Sequence, residues 1–423
     1  MPMKWRTIMN NTIEQCNCLV AQSGGPTAAI NASLAGIIKA ALANEKIDTI
    51  YGAVNGIKGF IEKKILNLTE MFEGNPDKID TLATTPAMFL GSCRYRLAPM
   101  EKDLEDYNAI FGLFQIYNIK YFLYIGGNDS MDTVAKLSLY AKTHNYDIKI
   151  IGVPKTIDND LYLTDHTPGY GSAAKYIASS ILEVAHDAYI YNIESVSIVE
   201  IMGRNVGWLT AAAALARNEY STAPHLIYLP ERNFDQEQFI KDIKELLSQR
   251  KHVIVAVSEG LHDENGQYIS ADSSKVDNFG HVMLNGAGKY LEMLVAERIG
   301  CKVRSIELNV LQRCAGHCAS KTDIDETVAL GEFAVKSVTE GESDKMVIIK
   351  RTSSTPYASE FELASIHEIA NKEKRVPLEW INEEGNDILQ PLVDYMAPLV
   401  EGEVATEYKN GLPVYLPVDH LFR

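Results

Sequence analysis

Two loops about 28 residues apart carry the side-chain types that phosphoryl transfer requires. Gly126-Gly127-Asn128-Asp129-Ser130 follows one apolar run, and Pro154-Lys155-Thr156-Ile157-Asp158-Asn159-Asp160 follows the next. Glycines open backbone N–H groups toward an anion, while a lysine and oxygen-bearing side chains can neutralise charge, hold a metal or take a proton. In the second loop two carboxylates two residues apart, beside the Thr156 hydroxyl, can share a magnesium ion and a substrate hydroxyl. Asp158, at the ordinary aspartate pKa of about 3.9, is ionised at neutral pH and ready to accept a proton as a hydroxyl attacks phosphorus. Lys155 suits neutralisation of the transferring group.

Other residues of the right type recur at strand ends. Ala21-Gln22-Ser23-Gly24-Gly25-Pro26 closes the first apolar run and leads into a helical pattern. Gly24 and Gly25 would let backbone amides approach a phosphate at the positive end of that helix. Met202-Gly203-Arg204 puts an arginine fork after another strand, where it can grip phosphate oxygens. Arg94 in Gly91-Ser92-Cys93-Arg94, Glu259 in Ser258-Glu259-Gly260, Arg304 and Arg313 gain weight only as members of this set.

The elements that must position these residues alternate. Runs at 18–21, 49–53, 121–125, 148–153, 196–199, 226–229, 253–257 and 346–349 are β-rich, and helical patterns separate them. This rhythm predicts parallel sheets with helices on both faces, whose ligands sit beyond the carboxyl ends of the strands. From about Pro356 onward the rhythm is lost, and six of the fifteen prolines fall there. That part reads as a C-terminal extension packed on the main body.

A chain of 423 residues can build two or three cores. Its net charge of -16 excludes broad contact with nucleic acid or an anionic membrane, so an anionic substrate must meet locally clustered cations. Six cysteines without framework spacing, and no apolar span of membrane length, point to reduced thiols and a cytoplasmic location. Cys314-Ala315-Gly316-His317-Cys318 lacks the second ligand pair of a zinc cluster.

As an ordered set, from about Gln15 to Lys350 and including Thr167-Pro168-Gly169-Tyr170-Gly171 and Gln312-Arg313, these motifs resemble the phosphofructokinase family, specifically its pyrophosphate-dependent branch. The resemblance implies two doubly wound, Rossmann-like α/β parallel-sheet domains with the active site in their cleft. The expected boundaries are 15–162 with 313–350 for pyrophosphate and magnesium, 163–312 for fructose 6-phosphate, and 351–423 for the extension. It implies Asp158 as the base for the 1-hydroxyl of fructose 6-phosphate, with Thr156 and Asp160 organising the site. Arg204 and Arg94 would stabilise charge. Gly24, Gly25, Gly127, Asn128 and Ser130 would hold pyrophosphate, and Met202, Gly203 and Glu259 the sugar. Arg304 and Arg313 would take the 6-phosphate, with a homodimer or homotetramer completing that pocket. Mg2+ is the implied cofactor, with Asn128 and Asp160 as ligands.

Donor choice in the family turns on two positions where ATP-using relatives typically carry glycine. Here they are Asp129 and Lys155. An aspartate where a nucleotide's α-phosphate would sit repels it by about 4 kcal/mol at about 4 Å and an effective dielectric of about 20, while the lysine suits compact pyrophosphate. An ATP-dependent kinase and a non-catalytic regulatory subunit of the same fold are the alternatives; intact Asp158, Asp160 and Arg204 argue against the latter. The chain departs from the family pattern at Asn128, where an aspartate is usual, at Ser195, where many relatives have arginine, and at Val310, where histidine is common. The last two leave room for sedoheptulose 7-phosphate as an additional substrate.

Overall fold

The computed structural model describes residues 15–276, 282–284 and 286–422. Strands β1 (Cys16–Gln22), β2 (Ile47–Ala53), β3 (Ile65–Asn67), β4 (Ile119–Gly126) and β5 (Lys149–Pro154) belong to the first sheet; β6 (Ser195–Ile201), β7 (Leu226–Tyr228) and β8 (His252–Ser258) belong to the second. A two-stranded ribbon follows, β9 (Ala271–Val276) with β10 (Val282–Leu284). The chain then adds β11 (Lys302–Glu307) to the second sheet and β12 (Lys345–Ser354) and β13 (Tyr357–Ser365) to the first.

The first sheet runs β13-β12-β5-β4-β1-β2-β3, with only the two edge strands antiparallel to their neighbours. The second runs β11-β6-β8-β7 and is parallel throughout. Each has helices on both faces, which explains why the strands read as near-continuous apolar runs rather than alternating ones. Helices Ile30–Leu42 and Lys321–Thr339 cover one face of the first sheet through Leu34, Ile37, Leu330 and Val335. Helices Glu105–Ile116 and Asn128–Thr143 cover the other through Phe111, Met131 and Leu137. In the second sheet, Ile177 and Ile181 of helix Tyr170–Tyr189 pack one face, and Phe239, Ile243 and Leu291 pack the opposite one.

Register places the chemistry. Gly126 pairs with Pro154 and Gln22 with Ile125, so the ends of β1, β4 and β5 lie abreast. The chain leaves β1 toward β2 on one side and meets β4 on the other, which makes this edge the switch point where a parallel sheet opens a crevice. In the second sheet Ile201 pairs with Ser258 and Glu200 with Glu307, bringing Met202–Arg204, Glu259 and the turn before Arg313 to one edge.

Residues beyond Pro356 do more than cap the body. They supply β13 to the first sheet, and Leu392 and Met396 of helix Gln390–Met396 enter the core beside the second. Among the described residues no helix is long and apolar enough to cross a membrane.

Candidate active site

Gly24 adopts φ +81, and a Cβ there would lie 3.1 Å from Lys155 Nζ. Glycine therefore serves twice: it permits the left-handed turn and leaves space for the cation beneath it. Lys155 is 2 % exposed, and its ammonium donates to the Gly25 carbonyl at 2.7 Å. The backbone of Lys155 donates to Gly126 O at 2.9 Å, and Ser23 Oγ meets Ser130 Oγ at 2.5 Å, so three strand-end loops are stitched together. Ser92 Oγ donates to Gly24 O at 2.7 Å, which docks the segment carrying the exposed Arg94 on the same loop.

The Thr156–Asp160 turn is held from both sides. Thr156 Oγ1 accepts from Asp158 N at 3.1 Å, while Thr156 N donates to Pro168 O and its carbonyl accepts from Thr167 Oγ1 at 2.7 Å. The Thr167-Pro168-Gly169 motif is in turn fixed by Asp323, which accepts from Gly169 N at 2.9 Å and from Ser172 N at 3.0 Å. Burial, then Glu259, raises the Asp158 carboxyl to about 6, against the pull of Lys155. Burial followed by the charge of Asp158 raises Asp160 to about 7. This corrects the sequence expectation of an ordinary aspartate: both carboxyls sit in one low-dielectric corner that favours their neutral forms. The same desolvation lowers the ammonium of Lys155 to about 8 and that of Lys374 to about 7, opposed in each case by nearby aspartates.

From the second sheet, Glu259 Oε1 accepts from Gly203 N at 3.1 Å, Ser258 Oγ donates to Gly203 O at 2.6 Å, and Gln312 Oε1 accepts from Met202 N at 3.2 Å. Gly260 allows this approach, since a Cβ there would lie 1.9 Å from Arg204 O. Met202, Glu259, Glu200, Glu307 and Gln312 line a cavity of about 60 Å³. Arg204 stacks on Tyr268, its guanidinium 4.9 Å from the ring centroid. Arg313 comes to the same corner: Nη1 lies 3.6 Å from where a Gly25 Cβ would stand, and its charge acts on Lys155, Asp158 and Glu259.

Three expected residues lie differently. Arg304 stays on edge strand β11, where Nη1 donates to Asp187 Oδ2 at 3.1 Å, so within one chain it is turned away from this centre. Asp129 is 84 % exposed in its side chain and faces Arg96 Nη2 at 3.4 Å, so solvent and that arginine weaken the repulsion expected from the sequence. Asn128 Nδ2 donates to Lys372 O at 3.1 Å, while its buried Oδ1 has no hydrogen-bond partner among the described residues. Ser195 sits at the other end of β6, bonded to His252 Nδ1 at 2.9 Å beside a separate cavity of about 330 Å³.

A model of the phosphofructokinase family matches residues 17–338. The chain belongs to the phosphofructokinase family. Its relatives include the pyrophosphate–fructose 6-phosphate 1-phosphotransferase of Halomonas elongata, 39% identical over 402 residues that cover 94% of this chain and 95% of the relative. The protein of the same name from Xanthomonas campestris pv. campestris is 40% identical over 408 residues, 96% of each chain. The crystal structure of a pyrophosphate-dependent phosphofructokinase from Nitrosospira multiformis matches with a TM-score of 0.86 at 37% identity, over 95% of this chain and 96% of that one.

Within the phosphofructokinase fold, sequence reasoning missed several neighbours of the site. Lys374, Glu373 and Tyr395 come from the extension, and Tyr268 and Arg96 from loops without a motif. Lys374 reaches Asn159 across 215 residues, with nothing local to announce it.

Proposed function

We propose that the protein transfers a phosphoryl group reversibly from pyrophosphate to the 1-hydroxyl of fructose 6-phosphate, giving fructose 1,6-bisphosphate and phosphate. The observation that carries this reading is the buried Lys155 tethered beneath Gly24 and Gly25 three residues before Asp158. A cation at the floor of a phosphate loop and a base beside it is what in-line transfer to a hydroxyl needs. The names of relatives that match nearly end to end support the donor and the sugar.

In this mechanism Asp158 takes the proton of the sugar hydroxyl as its oxygen bonds to phosphorus and the bridging bond of pyrophosphate breaks. Its raised pKa brings it closer to the operating pH, where a general base is most effective. Lys155, Arg204 and Arg313 neutralise charge spreading over the transferred oxygens, with Arg94 at the rim, and Met202, Gly203 and Glu259 fix the sugar. In the reverse direction protonated Asp158 returns the proton.

Magnesium fits the residues present. The partnerless Oδ1 of Asn128 and the carboxylate of Asp160 would hold it, and the ion would neutralise pyrophosphate oxygens. Among the described residues no three His, Cys, Asp or Glu side chains group tightly enough to bind a metal by themselves, so pyrophosphate must contribute ligands. Assembly as a homodimer or homotetramer in the cytoplasm belongs to the same reading: with Arg304 engaged by Asp187, the sugar phosphate gains from a neighbouring copy.

The test is 31P NMR of purified protein with fructose 6-phosphate, magnesium and either pyrophosphate or ATP. Fructose 1,6-bisphosphate and phosphate should appear in equal amounts with pyrophosphate, and Asp158→Ala should lower the rate by roughly 10²–10⁴-fold. Turnover only with ATP, or with neither donor, overturns the proposal.

A further inference from the structure

One stretch of the C-terminal extension, Lys372–Lys374, touches three loops of the site. Lys372 O accepts from Asn128 Nδ2 at 3.1 Å, which turns the amide so that Oδ1 faces away from Lys372. Glu373 Oε1 accepts from Asn205 Nδ2 at 2.8 Å, immediately after Arg204, and the residue also bridges Leu161 in antiparallel fashion. Lys374 uses every polar group it has. Its N–H donates to Asp160 O at 2.7 Å, its carbonyl accepts from Trp208 Nε1 at 2.8 Å, and its Nζ donates to Asn159 Oδ1, Thr164 O and Asp165 O at 3.1, 3.2 and 2.6 Å.

Asn159 is the residue between the two carboxylates. It is wholly buried and adopts φ +55, a left-handed conformation that asparagine tolerates better than other side chains, and both ends of its amide are bonded. Two groups hold its side chain, both from the extension: Lys374 Nζ on Oδ1, and Tyr395 Oη, which accepts from Nδ2 at 2.9 Å and donates to Asp165 O at 2.6 Å. The backbone angle at Asn159 sets the direction of Asp158 relative to Asp160. Relaxing it toward the right-handed region would swing one carboxylate away from the other, and a misplacement of about 1 Å can cost about 100-fold in rate.

We propose that Lys374 is a positioning residue for phosphoryl transfer, clamping Asn159 so that Asp158 and Asp160 face the same substrate. The extension then completes the catalytic loop instead of merely packing against it. This inference rests on the pyrophosphate-dependent reading above.

The experiment compares wild type with Lys374→Met and Tyr395→Phe, measuring kcat, the KM of each substrate and the melting temperature under saturating magnesium. Lys374→Met should lower kcat about 10- to 100-fold with both KM values within about threefold, because bound substrates meet a misaimed base. Tyr395→Phe removes one hydroxyl and should lower kcat less, in the same pattern, which keeps the test decisive if the lysine variant does not fold. A folded variant pair with wild-type kcat, or a loss confined to KM or to melting temperature, overturns the inference. Wild type inactive with pyrophosphate overturns the functional reading itself, and the inference falls with it.

Discussion

The ammonium of Lys155 donates to the carbonyl oxygen of Gly25 at 2.7 Å, joining the loop after β5 to the loop after β1. A cation held this way is aimed before substrate arrives, so little reorganisation accompanies transfer. The contact also exposes the arrangement to a single methyl group. Gly24→Ala would strain a φ of +81 and bring a Cβ within 3.1 Å of Nζ. Steady-state kinetics should give a fall of at least about 10-fold in kcat/KM for pyrophosphate, with the KM for fructose 6-phosphate nearly unchanged. Equal losses for both substrates would mean that the loop serves the whole site.

The raised carboxyl of Asp158 gives the two directions different pH profiles. Burial and then Glu259 bring it to about 6. In the proposed mechanism forward transfer needs the deprotonated form, so kcat/KM should fall as pH drops through about 6. Reverse transfer needs the protonated form and should persist to lower pH. Parallel profiles in the two directions would remove Asp158 from proton transfer.

Stability follows the same group with a definite sign. The folded-state pKa of Asp158 lies above its ordinary value, so its proton-linked stability is fully present below about pH 3.9 and lost as pH rises through about 6. Above that window the folded protein carries a poorly solvated charge. Asp158→Asn should therefore be the more stable protein at pH 8, by on the order of 3 kcal/mol, and the advantage should shrink toward pH 4. Thermal melts of both proteins across this range decide it; a constant difference would contradict the linkage.

Much of this candidate site was legible in the sequence because strand ends concentrate it. Parallel strands buried on both faces must be apolar, so the polar residues that follow them stand out, and Gly24, Gly127, Lys155, Asp158, Arg204 and Glu259 were all readable by that contrast. What was not legible depends on contacts across the fold. The raised pKa of Asp158 comes from burial and then from Glu259, neither of which spacing reveals. Lys374 and Tyr395 act from a segment without βα rhythm. Arg304 carries the right charge, but its strand lies at the sheet edge, where Asp187 takes it.

Donor choice is the point at which the account is most exposed. Asp129 stands at the surface beside Arg96, and Lys155 is buried under the phosphate loop, so the lysine should matter more than the aspartate. The direct measurement is the ratio of kcat/KM for pyrophosphate to that for ATP, in wild type, Asp129→Gly, Lys155→Gly and the double variant. Wild type should favour pyrophosphate by at least about 100-fold, equivalent to about 2.7 kcal/mol of discrimination; Lys155→Gly should erode the ratio more than Asp129→Gly, and the double variant most. A wild-type ratio near one, or a ratio that neither substitution changes, would contradict the assignment.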